Sequence, residues 1–370
     1  MINARKIAAP ILTTILLAVI GTAGWISLGH ANANRAAHAV VTAHGIVGSE
    51  KQAFFEDKSV IEEFRKNGID IQVSTQGSRE QANNATKDGA DFYFPAGEPA
   101  GRAIAQKLGV KDVGTPFYTP MVIASWKNIA QTLAGNGISE KNGKYWYIRH
   151  MDKMIDLTEK DVRWNQIPHN SGYDVGKTIL ISSTDVRKSN SADMYLALAS
   201  YVENGNATVT NSDQARKIQE KMNALFLKQG FQESSSAGPF EDYVSIGEGK
   251  TPLVICYEQQ YIEYLAATEN SARNKDMVLL YPKPTIFTKH TIVPTDEIGR
   301  RVAQMLQDDT ILRKAEIRHG FRNADVSATK EFWSQNGIDL PEQIQDVIDP
   351  PSFQTLETMI KGVENAYARQ

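Results

Sequence analysis

The sequence predicts a two-lobed α/β protein preceded by an N-terminal hydrophobic helix, on three observations. From Ala39 onward, short apolar runs alternate with segments of helical periodicity, which is the pattern of βα units. The length of 370 residues exceeds what one hydrophobic core ordinarily supports. Two proline-marked extended passages, Thr115 to Pro120 and Tyr281 to Pro284, interrupt the alternation and read as crossings between lobes.

Composition narrows the class. Hydrophobic residues make up 41% and charged residues 22%, as in ordinary globular proteins. The 40 Lys+Arg against 43 Asp+Glu give a net charge of -3, and no long basic run offers a nucleic-acid surface. The 7 histidines are scattered, so neither a metal site nor a cofactor is expected. The single cysteine, Cys256, lies in the apolar run Leu253 to Tyr257 and reads as a buried thiol.

At the N-terminus, Arg5 and Lys6 precede a charge-free run from Ile7 to Leu28, followed by the small-residue site Ala31-Asn32-Ala33. A basic segment, an apolar segment and such a site direct export. The run is also long enough to span a bilayer. Residues 1–33 are therefore expected to be a signal peptide or an uncleaved membrane anchor, with the remainder in the periplasm or at the cell surface.

The elements follow in order. Val40 to His44 reads as a strand ending in the loop Gly45 to Lys51, then a helix from about Phe54 to Lys66. Ile69 to Thr75 is the next strand, Gly77-Ser78-Arg79 opens the next helix, and Asp91 to Phe94 is a third strand. The first crossing leads into the strand Met121 to Trp126. Beyond it come a strand Thr178 to Ser182, helices Ala192 to Glu203 and Gln214 to Gln229, and a buried strand Leu253 to Tyr257. Val278 to Leu280 and His290 to Val293 flank the return. Helical patterns over Asp296 to Leu306, Ile311 to Arg318, Glu331 to Asn336 and Ser352 to Tyr367 are expected to complete the first lobe.

No motif supports catalysis. Ser171 to Thr178 resembles a phosphate-binding loop, but Ser171 stands where that motif needs glycine, and Lys177-Thr178 leads into an apolar strand rather than a helix. No serine sits in a G-x-S-x-G elbow. The pairs Glu62-Glu63 and Glu241-Asp242 read as solvated helix residues, and His44 as a structural hydrogen-bonding group. What stands out is a set of small hydroxyl-rich loops: Gly48-Ser49, Gly77-Ser78, Ser182 to Asp185 and Ser234 to Gly238. Glycine and serine let a backbone approach a ligand while hydroxyls and N–H groups supply directional hydrogen bonds. Each such loop also suits simple helix capping.

Arg163-Trp164-Asn165-Gln166-Ile167-Pro168, followed by Gly176 to Asp185, resembles a stretch recurring in type II bacterial solute-binding proteins. Pro116 to Trp126 and Met277 to Val293 are similar to that family's outward and return crossings. The resemblance implies two α/β lobes joined by a hinge: residues 34–117 with 288–370 as lobe 1, and 118–287 as lobe 2. It implies capture of a small-molecule or oxyanion ligand in the cleft and delivery to an ABC-transporter permease. The alternative is a membrane-anchored sensor or scaffold using the same clamp. By position, Ser49, Ser78 and Arg79 would contribute from the first lobe, and Ser183, Thr184, Asp185, Ser235, Tyr257 and Glu258 from the second, with Tyr118 at the crossing. Glu258 and Asp185 argue against a bare oxyanion, because a carboxylate beside a buried anion is costly. Either Arg79 and Lys51 are the cations placed to compensate, or the carboxylates receive a cationic or hydroxylated solute.

Overall fold

The computed structural model describes residues 40–268 and 275–369; the expected leader or anchor lies outside them. Among the described residues no helix is long and apolar enough to cross a membrane. The strands are β1 (Val41–Val47), β2 (Ile69–Thr75), β3 (Phe92–Phe94), β4 (Tyr118–Trp126), β5 (Ser139–Asn142) and β6 (Tyr145–Ile148). They continue as β7 (Leu253–Tyr257), β8 (Met277–Pro282), β9 (Thr285–Lys289), β10 (Val293–Pro294) and β11 (Val347–Ile348).

Two sheets result. The first has the order β10-β3-β1-β2, with β1 parallel to both β2 and β3 and β10 antiparallel to β3. The second runs β11-β9-β4-β8-β6-β5, with β7 also paired to β4. β4 joins the two lobes as a continuous strand. Its first three residues, Tyr118 to Pro120, pair with the returning β9, and Met121 to Trp126 pair with β7 and β8. The crossings are thus an antiparallel ribbon. All of β7 and nearly all of β4 are buried, which is why both read as continuous apolar runs without alternation.

Each sheet has its own core. Phe54, Phe64, Phe92, Phe94 and Phe117 pack with Val302, Leu306 and Leu312 in the first lobe. The second core gathers Val122, Ile123, Trp164, Leu196, Met222, Ile255 and Cys256. Burial pushes the Cys256 thiol up to about 12, so this cysteine behaves as a small apolar residue.

The structure departs from the sequence expectation at several points, beginning with β1, which runs on to Val47 where the sequence predicts a loop from Gly45. The helix expected over Phe54 to Lys66 is two helices, Gln52–Glu56 and Lys58–Lys66. Asp57 between them adopts an extended conformation and caps the second by accepting from Ser59 N at 2.7 Å, which outweighs continued helical periodicity. Thr178 to Ser182 forms isolated bridges to Arg163 and Val254 rather than a strand. The chain after His290 also divides between the cores. Helices Glu297–Asp308 and Thr310–Arg318 serve the first, whereas Leu356, Met359, Ile360 and Val363 of Phe353–Tyr367 join the second-lobe core against Ser212–Leu227. Amphipathic periodicity reveals an apolar face, not the core that face covers.

Candidate functional site

The C-terminal ends of β1, β2 and β7 meet across the space between the lobes, where α/β folds place ligands. A cavity of about 720 Å³ lies there. Its first-lobe wall is the loop Gly48 to Glu50 and the segment Thr75 to Arg79; its second-lobe wall is Arg187 to Asn190, Ser234 to Ser236 and Tyr257.

The lobes are closed on one another. Ser49 Oγ and Ser235 Oγ lie 3.2 Å apart across the cleft. A Cβ at Gly77 would collide with the Lys188 carbonyl, and one at Gly97 with the Asn190 side chain. Gly77 therefore lets two backbones approach where a larger residue would hold them apart, and Gly97 leaves room for the Asn190 side chain.

Five of the sequence-expected residues face this cavity: Ser49, Ser78, Arg79, Ser235 and Tyr257. Ser78 Oγ accepts from Ala96 N at 2.9 Å, which fixes the loop. Tyr257 OH accepts from Asn190 Nδ2 at 3.1 Å. Burial, reinforced by the nearby Glu50 charge, pushes the Tyr257 pKa well above the phenolic range, so the hydroxyl keeps its proton. Arg79 is not a free cation: it forks onto Glu357, with Nη2 at 3.1 Å from Oε2, and donates from Nη1 to the Arg187 carbonyl at 3.2 Å.

The other expected residues lie elsewhere. Tyr118 packs against Phe287 in the crossing ribbon, with ring centroids 5.0 Å apart and the rings tilted by 34°. Ser183 bonds Gln229, and the Thr184 hydroxyl meets Ser191 Oγ at 2.8 Å, both beneath the wall. Asp185 holds Arg187 through contacts of 2.8 and 2.6 Å. Glu258 is fully buried and faces away from the cleft, paired with Arg322 at 2.5 and 2.9 Å and accepting from Tyr281 OH at 2.5 Å. Tyr257 and Glu258 are adjacent at a strand end, where successive side chains point to opposite sides.

Neither carboxylate that argued against an anion is therefore an unpaired charge in the cavity. Lys51 also departs from expectation, being fully buried beside Glu50 and 3.1 Å from His290 Nδ1, under the face of Phe94. Burial raises the Glu50 pKa, but the Lys51 ammonium and the His290 ring outweigh it and bring it down to about 2. Burial and then the Lys51 charge lower His290 to about 4, leaving a neutral ring at pH 7. Sequence reading missed Glu50, Ser189 and Asn190. The signal that could have found Glu50 is an acid–base pair, Glu50-Lys51, directly after the strand-ending Gly48-Ser49.

Among the described residues, no group of three or more His, Cys, Asp or Glu is arranged to hold a metal ion.

No protein-family model matches the sequence, and no curated protein matches it. Solved structures do match in fold. The periplasmic binding protein AfuA from Actinobacillus pleuropneumoniae, with exogenous fructose 6-phosphate bound, superposes with a TM-score of 0.52 at 13% identity, over 89% of this chain and 98% of that one. An ABC transporter structure from Clostridium perfringens gives a TM-score of 0.51 at 10% identity, over 88% and 99%. The chain shares with these structures a periplasmic binding protein-like α/β fold.

Proposed function

We propose that the protein is an extracytoplasmic solute-binding component that captures a small polar ligand between its lobes and hands it to an ABC-transporter permease, without chemistry on the ligand. The observation that carries this reading is the closed interlobe cavity, in which serine hydroxyls, the Tyr257 hydroxyl and the Asn190 amide converge from both lobes while the lining guanidinium groups of Arg79 and Arg187 are already paired, with Glu357 and Asp185. Such a surface holds a ligand by directional hydrogen bonds and needs contacts to both walls, so occupancy favours the closed state. The fold shared with periplasmic binding proteins supports the same reading.

Calorimetric and thermal-shift titration of the protein against oxyanions, sugars, sugar phosphates, amino acids and polyamines tests it. A ligand at 100 times its Kd adds about 2.7 kcal/mol of stability. Loss of that gain in Ser49→Ala, Ser235→Ala and Tyr257→Phe supports the cleft; unchanged affinity in all three sinks it.

A further inference from the structure

Resting on the clamp reading, we propose that Glu50 and Tyr257 select the ligand by requiring a hydroxyl group, so that the cavity takes hydroxylated solutes and rejects oxyanions that carry no proton, such as sulfate.

Glu50 stands at the end of β1 on the cavity wall with its side chain only 6% exposed. Its Oε1 receives Lys51 Nζ and lies 3.4 Å from His290 Nδ1. Its Oε2 accepts no hydrogen bond from any described residue. The carboxylate folds back over Gly48, where an added Cβ would collide with it. Lys51 cannot turn toward the cavity to cover this oxygen: it is fully buried between Glu50, His290 and Phe94. The carboxylate is thus held ionised from behind and presents an unused lone pair to whatever fills the cavity.

Tyr257 offers the complement. Its oxygen accepts from Asn190, and its proton has no acceptor among the described residues. Once a ligand fills the cavity and displaces water from it, an acceptor left without a donor opposes binding, as does a donor left without an acceptor. A ligand hydroxyl donates to Glu50 and accepts from Tyr257, and so satisfies both. A protonless oxyanion satisfies Tyr257 but sets negative charge beside Glu50, where low dielectric strengthens the repulsion. A polyamine satisfies Glu50 and strands Tyr257. Recognition of this kind rejects the analogue lacking the group more strongly than an apolar pocket rejects a missing methylene.

The test is titration of the full chain with glucose, fructose 6-phosphate, sulfate, molybdate and spermidine, for wild type, Glu50→Gln and Tyr257→Phe. A hydroxylated probe is expected to bind wild type, each variant is expected to lose about tenfold or more in its affinity, and sulfate and molybdate are expected to bind wild type at least tenfold more weakly. Sulfate, molybdate or spermidine binding wild type as tightly as any hydroxylated probe overturns the hydroxyl requirement and leaves the clamp standing. So does an unchanged affinity in Glu50→Gln. Binding of no probe at all counts against the clamp itself, and this inference falls with it. Should Glu50→Gln fail to fold because Lys51 loses its partner, Glu50→Gln with Lys51→Met removes both charges and is read in the same way.

Discussion

The Arg79 guanidinium, at the start of the helix Ser78–Asn84 in the first lobe, forks onto the carboxylate of Glu357 in Phe353–Tyr367, a helix packed on the second lobe. Glu364 lies 3.8 Å from the same guanidinium. Both principal partners are largely buried, with side chains 13% and 14% exposed. The closed cleft is therefore held by a charge-assisted contact that involves no ligand.

Glu357→Gln is expected to shift the unliganded protein toward an open form. Hydrogen bonds to charged groups contribute about 1.5–3 kcal/mol, so a cleft ligand should bind about ten- to a hundredfold more weakly. Spin labels at Lys87→Cys and Lys217→Cys, both exposed and on opposite lobes, read the distance directly. Cys256 is buried and should not take label. An unchanged distance distribution would show that Arg79 and Glu357 do not govern closure.

Gly77→Ala should separate closure from folding. The added methyl meets the Lys188 carbonyl across the cleft, so the closed state is obstructed while neither lobe core is touched. The expected result is a near-normal melting temperature with ligand affinity lowered at least tenfold. A normal affinity would mean that the cleft works without the close approach of these two backbones.

Glu258 gives the opposite outcome. It is buried with Arg322 and Tyr281, and Arg322 also donates to the Pro341 and Glu342 carbonyls. Removing one partner of such a pair leaves an uncompensated charge, at a cost of about 3–5 kcal/mol. Glu258→Ala should therefore lower stability in denaturant titration by roughly that amount. Any residual folded protein should bind ligand with wild-type affinity. Weakened binding at unchanged stability would return Glu258 to the cleft.

Stability should fall as pH rises above the carboxylate range, through Glu316. Burial pushes its pKa from 4.5 up to about 8, against the opposing Asn323 hydrogen bond and Arg313 charge. Its Oε1 is buried without a partner, and Oε2 accepts from Asn323 Nδ2 at 2.8 Å. The folded state thus keeps a proton that the unfolded state releases near 4.5. That contribution is complete below the unfolded value and is lost as pH rises toward 8. Glu316→Gln should flatten this part of the profile in chemical denaturation from pH 4 to pH 9; an identical slope in variant and wild type rules the assignment out.

Strand content and the crossings were legible because Leu253 to Tyr257 and Met121 to Trp126 are apolar without interruption, and because Pro120 and Pro284 mark the ribbon. The loops at Ser49, Ser78 and Ser235 were legible for a local reason: small residues follow a strand or open a helix. Partnership was not legible. Arg79 meets Glu357 and Glu258 meets Arg322 across separations of 278 and 64 residues. No local pattern distinguishes such a paired charge from one that faces a ligand. Glu50 shows the converse, since its placement depends on Lys51 being drawn into the Phe94 and His290 cluster rather than into water.

The first sheet is completed by β10, which covers the outer edge of β3 only after the chain has made the entire second lobe and returned along β9. A chain emerging N-terminus first consequently carries an unfinished edge, Phe92 to Phe94, and the aromatic cluster behind it while more than half its residues are still to come. Naked strand edges recruit other strands, and partly folded lobes expose apolar surface. The same topology that ties the two halves of the clamp together makes the early half dependent on the late one during synthesis, and marks that interval as the period in which a holding chaperone would matter most.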